Sequence, residues 1–502
     1  MKFLRFWLES LGVGILAACL VPLNFYQKNY PQILGQDIAI VVGAFALIHA
    51  LVWLILRLIF RNSDRACLVA YTLWGAFWFS RPVLSFIRHS CTWTQALYDL
   101  IHDYRYAVVL GVFIPVVIFG YLWLRKHPTV IKPLVKSINL AIPLELFLLV
   151  GQTGHKVHKY AQLERHQQEQ AVQPDGDYPN IYHILLDAHP NLEGARLLGY
   201  DLQPFYDELN NLGFITFPQS RSNYCMTLWS VPSMLTMDYL PGDETKIKDF
   251  TLYRLSRNNP VFDTLMSHGY RVKFTASFMT ELAFYPRKYT QLLLHGPLTT
   301  FIMVLETTIL YNFQFNRTWF YQLQPNPKII YHTCLKWLLS PNNHQPIYRY
   351  VHILCPHPPF VFSDNASATY GLTVQYQKNQ TDSYIPQIRA NIAGIDAMVL
   401  PILKQLTQQP KPPIIILHSD HGSYFGTQNN VDSNFGNLLA LYIPDTWKSD
   451  AKDLKFINLY RFILNHLFNE HRPYIDQNRQ IIGGKDFDPN ISIWDHLSKR
   501  IM

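Results

Sequence analysis

The chain has 502 residues, 16% of them charged, and a net charge of +8. That length holds more than one folded unit. The positive charge is spread over short loops with no basic run or nucleic-acid motif, so the composition argues against a nucleic-acid partner. Mean hydropathy is near zero, +0.01, because an apolar stretch over residues 1–154 is followed by ordinary globular composition.

Five apolar segments come first: Phe3–Tyr26, Asp37–Phe60, Ala66–Ile87, Arg105–Leu124 and Leu134–Thr153. A spanning helix takes about 20 apolar residues. The second and fourth segments meet that length; the third and fifth carry polar or proline interruptions. The first is long for a cleaved leader and lacks a small-x-small cleavage site. Arg57, Arg61 and Arg65 cluster after the second segment, and Arg125, Lys126, Lys132 and Lys136 after the fourth. Lys2 and Arg5 flank the start. The positive-inside rule then predicts a cytoplasmic N-terminus, and five spans put the rest outside. Trp53, Trp74, Trp78 and Trp123 serve either as interface anchors or as packing residues. Glu9 and Glu145 lie near a segment end or in a weak span, which suits an anchor better than an ion relay.

Residues 155–177 are polar and end in Pro174-Asp175-Gly176-Asp177, the composition of a linker. A domain over 178–502 follows. Its expected strands are Asn180–Asp187, Phe214–Phe217, Tyr270–Ala276, Ile347–Leu354, Pro413–His418 and Leu438–Ile443. Helical patterns intervene, notably Gln387–Leu406 and Leu459–Phe468. Such alternation predicts an α/β domain with a mostly parallel sheet sandwiched by helices. Of six cysteines, Cys19 and Cys67 lie in apolar segments and Cys91 in a loop. Cys225, Cys334 and Cys355 are an odd number, so no disulfide framework can be read.

Ligands in open α/β sheets gather at the carboxyl ends of strands. Asp187 closes the first strand of the domain. Asp420 and His421 follow the β-branched run Ile414–His418 and offer an oxygen and a nitrogen to a zinc-like cation. His352 and His357 stand at another strand end. The stretch Asn223–Met234 brings hydroxyls to the start of an apolar, helix-like run. Two carboxylates and a histidine can hold a cation, which lowers the pKa of a bound hydroxyl and makes a nucleophile at neutral pH. A hydroxyl at a helix N-terminus also has backbone N–H donors beside it for an oxyanion. A second histidine can stabilise charge or protonate a leaving group. Together these residues suit metal-assisted transfer of a phosphoryl or sulfuryl group.

The domain resembles the alkaline phosphatase superfamily, in the membrane-anchored sulfatase-like branch that includes lipid A phosphoethanolamine transferases and lipoteichoic acid synthase. The stretch from Thr227 to Met234, Thr-Leu-Trp-Ser-Val-Pro-Ser-Met, is similar to the transferases' Thr-x-x-Ser-Val-Pro-Cys-Met. The resemblance implies an alkaline-phosphatase-like fold. It implies Thr227 as nucleophile and metal ligand, with Asp187, Asp420 and His421 as the other ligands. His357 takes the position of a histidine that contacts substrate or a second metal. The implied cofactor is a divalent cation, zinc before manganese.

The implied reaction moves a phospholipid-derived head group, of phosphoethanolamine or phosphoglycerol type, through a phospho-threonine to an envelope lipid or glycan. The implied setting is the bacterial cytoplasmic membrane, with the domain facing the periplasm or outside. A phosphodiesterase or phosphatase of the same superfamily is the alternative, and a binding protein without activity a third. Rival readings stay open at several residues. Ser222, Ser230 and Ser233 are other hydroxyls, and Ser230 alternatively caps a helix. Cys225 is a weaker candidate nucleophile. His352 and His183 read as structural, and His189 and His418 as supports beside ligands. The sequence also departs from the pattern. Ala188 stands where sulfatases carry a second Asp, and Met234 where formylglycine sulfatases need Arg. Ser233 replaces a Cys, and Val431-Asp432-Ser433-Asn434 stands where the transferases have a late His.

Overall fold

A computed structural model describes residues 2–30, 33, 35–62, 64–75, 122, 126–169, 173–242, 247, 249–277, 300–301, 304–305, 327–341, 346–358, 360–362, 384–423, 430–482 and 485–486. The chain forms two compact units. One comprises Met1–Leu163 with His295–Gln324, the other Glu164–Leu294 with Pro325–Met502.

Three helices dominate the first unit: Lys2–Asn29, Gly35–Phe60 and Pro128–Glu169. Within them Leu11–Lys28, Gly35–Phe60 and Thr129–Lys159 are long and apolar enough to cross a membrane. Leu47, Leu58, Leu140 and Phe147 point outward, as lipid-facing residues do. Trp53 is buried and donates from Nε1 to Cys67 Sγ at 3.2 Å, and Trp74 packs edge-on against Phe45. Both are packing residues. The expected segment Ala66–Ile87 is described only to residue 75. Arg105–Leu124, apart from Leu122, lies outside the described residues, as do Cys91, Trp78 and Trp123.

The second unit is built on a six-stranded sheet in the order β2-β6-β5-β1-β4-β3. The strands are β1 Ile181–Leu186, β2 Ile215–Thr216, β3 Arg271–Ala276, β4 Ile347–Ile353, β5 Ile414–His418 and β6 Leu439–Tyr442. The central strands are buried throughout, as strands covered on both faces are. Alternate residues feed opposite cores. Ile184, Leu186, Val351, Ile353, Ile415 and Leu417 pack against the helices Pro327–Trp337 and Ile385–Thr407. Ile181, Leu185, Tyr348, Tyr350, Ile414 and Ile416 pack against Thr227–Thr236, Pro260–Ser267 and Leu459–Phe468.

The expected strands and the two expected helices all form, with ends shifted by one or two residues. The sheet is mostly parallel as expected, but mixed, because one strand, β6, runs against the other five. β1 pairs in parallel with β4 and β5, and β3 with β4, but β6 runs antiparallel to both β5 and β2. The physical reason lies in the connection. After β5 the chain returns through the short helix Val431–Phe435 instead of a full crossover helix, so β6 comes back alongside β5.

The parallel centre places the site. β1 aligns Leu185 with His418 of β5 and with His352 of β4. Two residues beyond that register, Asp187 and Asp420 leave the same edge of the sheet.

Candidate metal centre

Asp187, Asp420 and His421 are all buried, and one ligand atom from each lies within 4.8 Å of the others. His421 Nε2 is 3.2 Å from Asp420 Oδ2 and 3.6 Å from Asp187 Oδ1. Those two oxygens have no hydrogen-bond partner. The other two are occupied. Asp420 Oδ1 accepts from Ala188 N at 3.3 Å, and Asp187 Oδ2 accepts from His352 Nε2 at 3.1 Å. Ala188 reaches Asp420 with a left-handed backbone, φ 62°, a conformation that costs a residue with a Cβ about 1–2 kcal/mol.

The tautomer of His421 sharpens the geometry. Nδ1 faces the Gly422 carbonyl at 2.8 Å, which can only accept, so Nδ1 carries the proton. A ring that carries only that proton offers at Nε2 a lone pair directed at two carboxylate oxygens. Three acceptors converging in a buried space repel one another unless a cation lies among them. An oxygen–oxygen–nitrogen set suits zinc or another borderline divalent ion. The residues present therefore fit a bound divalent cation.

The charges around the carboxylates differ. Burial alone would raise the Asp187 carboxyl, but the imidazoles of His357, His352 and His421 outweigh it and hold the group below the ordinary carboxylate range. Asp420 is pushed up by burial and by the nearby Asp187 charge, which His421 and His352 offset only in part. In the absence of a cation the two carboxylates resist sharing full charge.

Thr227 opens the helix Thr227–Thr236. Its Oγ1 lies 3.3 Å from Asp187 Oδ2 and 3.2 Å from His421 Nε2. As the first residues of the helix, Thr227 and Leu228 have N–H groups without intrahelical acceptors, beside a positive dipole end. The rival hydroxyls are engaged elsewhere. Ser230 Oγ donates to Asp420 O at 2.6 Å, Ser233 Oγ to Asp238 O at 2.6 Å, and Ser222 Oγ to Tyr224 O at 2.8 Å. Ser230 lies inside the helix and does not cap it. It fastens the helix to the Asp420 backbone. Cys225 is buried, and burial raises its thiol, which disfavours a thiolate.

His352 sits inside β4, yet its ring hydrogen-bonds Asp187 and so orients a ligand. His357 donates its backbone N–H to the Asp187 carbonyl at 3.1 Å, and its Nδ1 meets Pro358 O at 2.7 Å. It is half-buried at the rim of the site. His189 joins Asp396 of the helix Ile385–Thr407 at 2.9 Å. His183 is a core residue stacked on Tyr350, with its centroid 4.0 Å away, and hydrogen-bonded to His418, Tyr348 and Tyr460. Burial lowers the His418 pKa to about 3 and that of His183 well below its ordinary value, so both are neutral.

Several site-forming residues had no sequence signal. Arg221 grips Asp432 with two hydrogen bonds of 2.8 Å, tying the segment before Thr227 to the helix Val431–Phe435. Gly422 lies so close to that helix that a Cβ would stand 2.5 Å from Ser433 O. The segment holding Asp432 thus supports the Asp420–Gly422 turn, where a late histidine had been sought. Among the described residues Cys19, Cys225, Cys334 and Cys355 are free thiols.

A model of the Sulfatase family matches residues 179–456, more than half of the chain. The chain belongs to the Sulfatase family. Among solved structures it is similar to the integral membrane protein lipooligosaccharide phosphoethanolamine transferase A from Neisseria meningitidis. That match is 11% identical, with a TM-score of 0.40, over 91% of this chain and 95% of that one. The C-terminal periplasmic domain of a phosphoethanolamine transferase from Escherichia coli, in complex with zinc, is 14% identical with a TM-score of 0.39, over 64% and 94% of the two chains. An alkaline phosphatase superfamily protein from Vibrio parahaemolyticus is 13% identical with a TM-score of 0.35, over 59% and 68%. No curated protein matches the chain.

Proposed function

We propose that the protein is a membrane-bound, metal-dependent phosphotransferase that takes a head group from a membrane phospholipid. One observation carries this reading. Of the hydroxyls at the start of the helix Thr227–Thr236, that of Thr227 faces the carboxylate–imidazole cluster, at 3.3 and 3.2 Å. Asp187, Asp420 and His421 hold the cation, with Thr227 as a fourth ligand. A cation there lowers the pKa of the hydroxyl and offsets charge on the transferred group.

The Thr227 oxygen attacks the phosphorus of a phosphodiester head group. A new Thr227 O–P bond forms, the P–O bond to the diacylglycerol breaks, and the leaving oxygen takes a proton from His357. The Thr227 proton leaves toward Asp187 Oδ2. The hydroxyl of an envelope lipid or glycan then attacks the phosphorus and gives its proton to His357, while the Thr227 O–P bond breaks and the Thr227 oxygen takes back the proton from Asp187. The fold supports a lipid donor in one further respect, since apolar helices long enough to cross a membrane precede the domain. Five spans, a cytoplasmic N-terminus and a domain over 178–502 outside the bacterial cytoplasmic membrane complete the reading, supported by the loop arginines and lysines.

The test is incubation of purified protein with phospholipid labelled in the head group, with and without an envelope fraction. Label is expected to move to the envelope fraction with wild-type protein and not with Thr227→Ala. Transfer by Thr227→Ala at the wild-type rate would sink the mechanism. Release of free label without need of an acceptor would make the protein a hydrolase.

A further inference from the structure

Two polar side chains close in sequence to Thr227 and His421 are buried without a hydrogen-bond partner among the described residues. Asn223 is 3% exposed, and neither its Nδ2 nor its Oδ1 makes a hydrogen bond. Ser423 is 2% exposed, and its Oγ makes none. Native proteins rarely leave such groups unsatisfied, and those that persist usually await a ligand or an ordered water.

The backbone brings these two residues to one place. Arg221 bridges Gly436 in antiparallel fashion, and Ser222 N donates to Phe435 O at 2.8 Å, so Asn223 follows directly on a contact with the end of the helix Val431–Phe435. On the other side Gly422 N donates to Asn434 O at 3.0 Å. Asn223 and Ser423 are therefore each next in sequence to a residue bonded to the Asn434–Phe435 backbone. Asn223 lies four residues before Thr227, and Ser423 two residues after His421.

We propose that the Asn223 amide and the Ser423 hydroxyl form an oxyanion subsite that receives the non-bridging oxygens of a phosphate ester bound at Thr227. This rests on the phosphotransferase reading. An amide N–H and a hydroxyl are neutral donors, so they orient phosphate oxygens without adding charge to a site already served by a cation and imidazoles. Their lack of protein partners keeps them ready for the ligand, as preorganised donors are.

The experiment measures binding rather than turnover. Zinc-loaded full-length protein in detergent is titrated with inorganic phosphate in one arm and with a short-chain phosphatidylethanolamine in the other. The proteins are wild type, Asn223→Leu and Ser423→Ala. Each variant should weaken both probes by roughly tenfold, the loss of about one hydrogen bond, while zinc affinity stays within about twofold. The metal-free melting temperature should stay level or rise, because an unsatisfied buried group has been removed. Ser423→Ala alone decides the matter if Asn223→Leu fails to fold. Unchanged binding of both probes, weakening confined to inorganic phosphate, or a wild type that binds neither probe overturns the subsite. Weakened binding without any covalent phospho-threonine leaves the subsite standing and removes the transfer reading. A covalent adduct with unchanged binding does the reverse.

Discussion

Thr227 Oγ1 lies 3.2 Å from His421 Nε2, the ring nitrogen opposite the Nδ1 that bonds the Gly422 carbonyl at 2.8 Å. That relationship ties a helix start to a strand end. It sets a nucleophile-type oxygen against a metal-ligand nitrogen, and the following predictions are read from it.

Removing the hydroxyl should remove the chemistry. We predict that Thr227→Ala lowers head-group release from phospholipid by at least about 10³-fold, and that Thr227→Ser retains part of it. Initial rates at saturating lipid check this. A Thr227→Ala rate within tenfold of wild type would count against the assignment.

A cation should stabilise the fold. Zinc at about 100 times its Kd is predicted to add about 2.7 kcal/mol and raise the melting temperature, with a chelator reversing the gain. Asp187→Asn and His421→Ala should melt at one temperature with or without zinc. A zinc shift that survives both substitutions would place the ion elsewhere.

The two carboxylates should give opposite pH dependences in metal-free protein. Asp420 is raised, so its share of stability is complete below the unfolded value, about 3.9, and is lost as pH rises through its folded pKa. Asp187 is lowered, so its share is present above that value and is lost as pH falls below it. Asp420→Asn should abolish the decline above about pH 4. Melting curves from pH 3 to 7 check this, and an unchanged decline in Asp420→Asn would refute it.

The Asp420–Gly422 turn has no room for a side chain. Gly422→Ala puts a Cβ 2.5 Å from the Ser433 carbonyl oxygen, a backbone atom that cannot swing away. We predict a loss of about 1–3 kcal/mol in stability together with weaker zinc binding, because the turn carries both Asp420 and His421. Denaturant unfolding and zinc titration on the same protein would show whether the two losses occur together.

Much of this was legible in the sequence because burial leaves a pattern. The runs ending at Leu186 and His418 are continuous and β-branched or leucine-rich, and each stops at a ligand. Asp187, Asp420 and His421 follow from those strand ends, Thr227 from the resemblance of Thr227–Met234 to the transferase motif, and the structure brings the four side chains together. Strand direction was not legible. Period-two patterning records which face a residue uses and says nothing of whether β6 runs up or down. His352 was misjudged as merely structural because position in a strand does not reveal that a ring can reach a neighbouring strand's terminal carboxylate. Ser230 was weighed as a cap because hydroxyl followed by apolar residues fits a helix start, yet the helix begins three residues earlier. Asn223 and Ser423 carried no motif at all, since an unsatisfied buried amide is a property of packing alone.

The most direct test of the central claim is the intact mass of purified, zinc-loaded protein after exposure to phospholipid. Wild type should gain the mass of one phospholipid-derived phosphoryl head group, located on Thr227, and Thr227→Ala should gain none. An adduct of the same mass on Thr227→Ala, or no adduct on wild-type protein that is turning over the lipid, would contradict the phospho-threonine route.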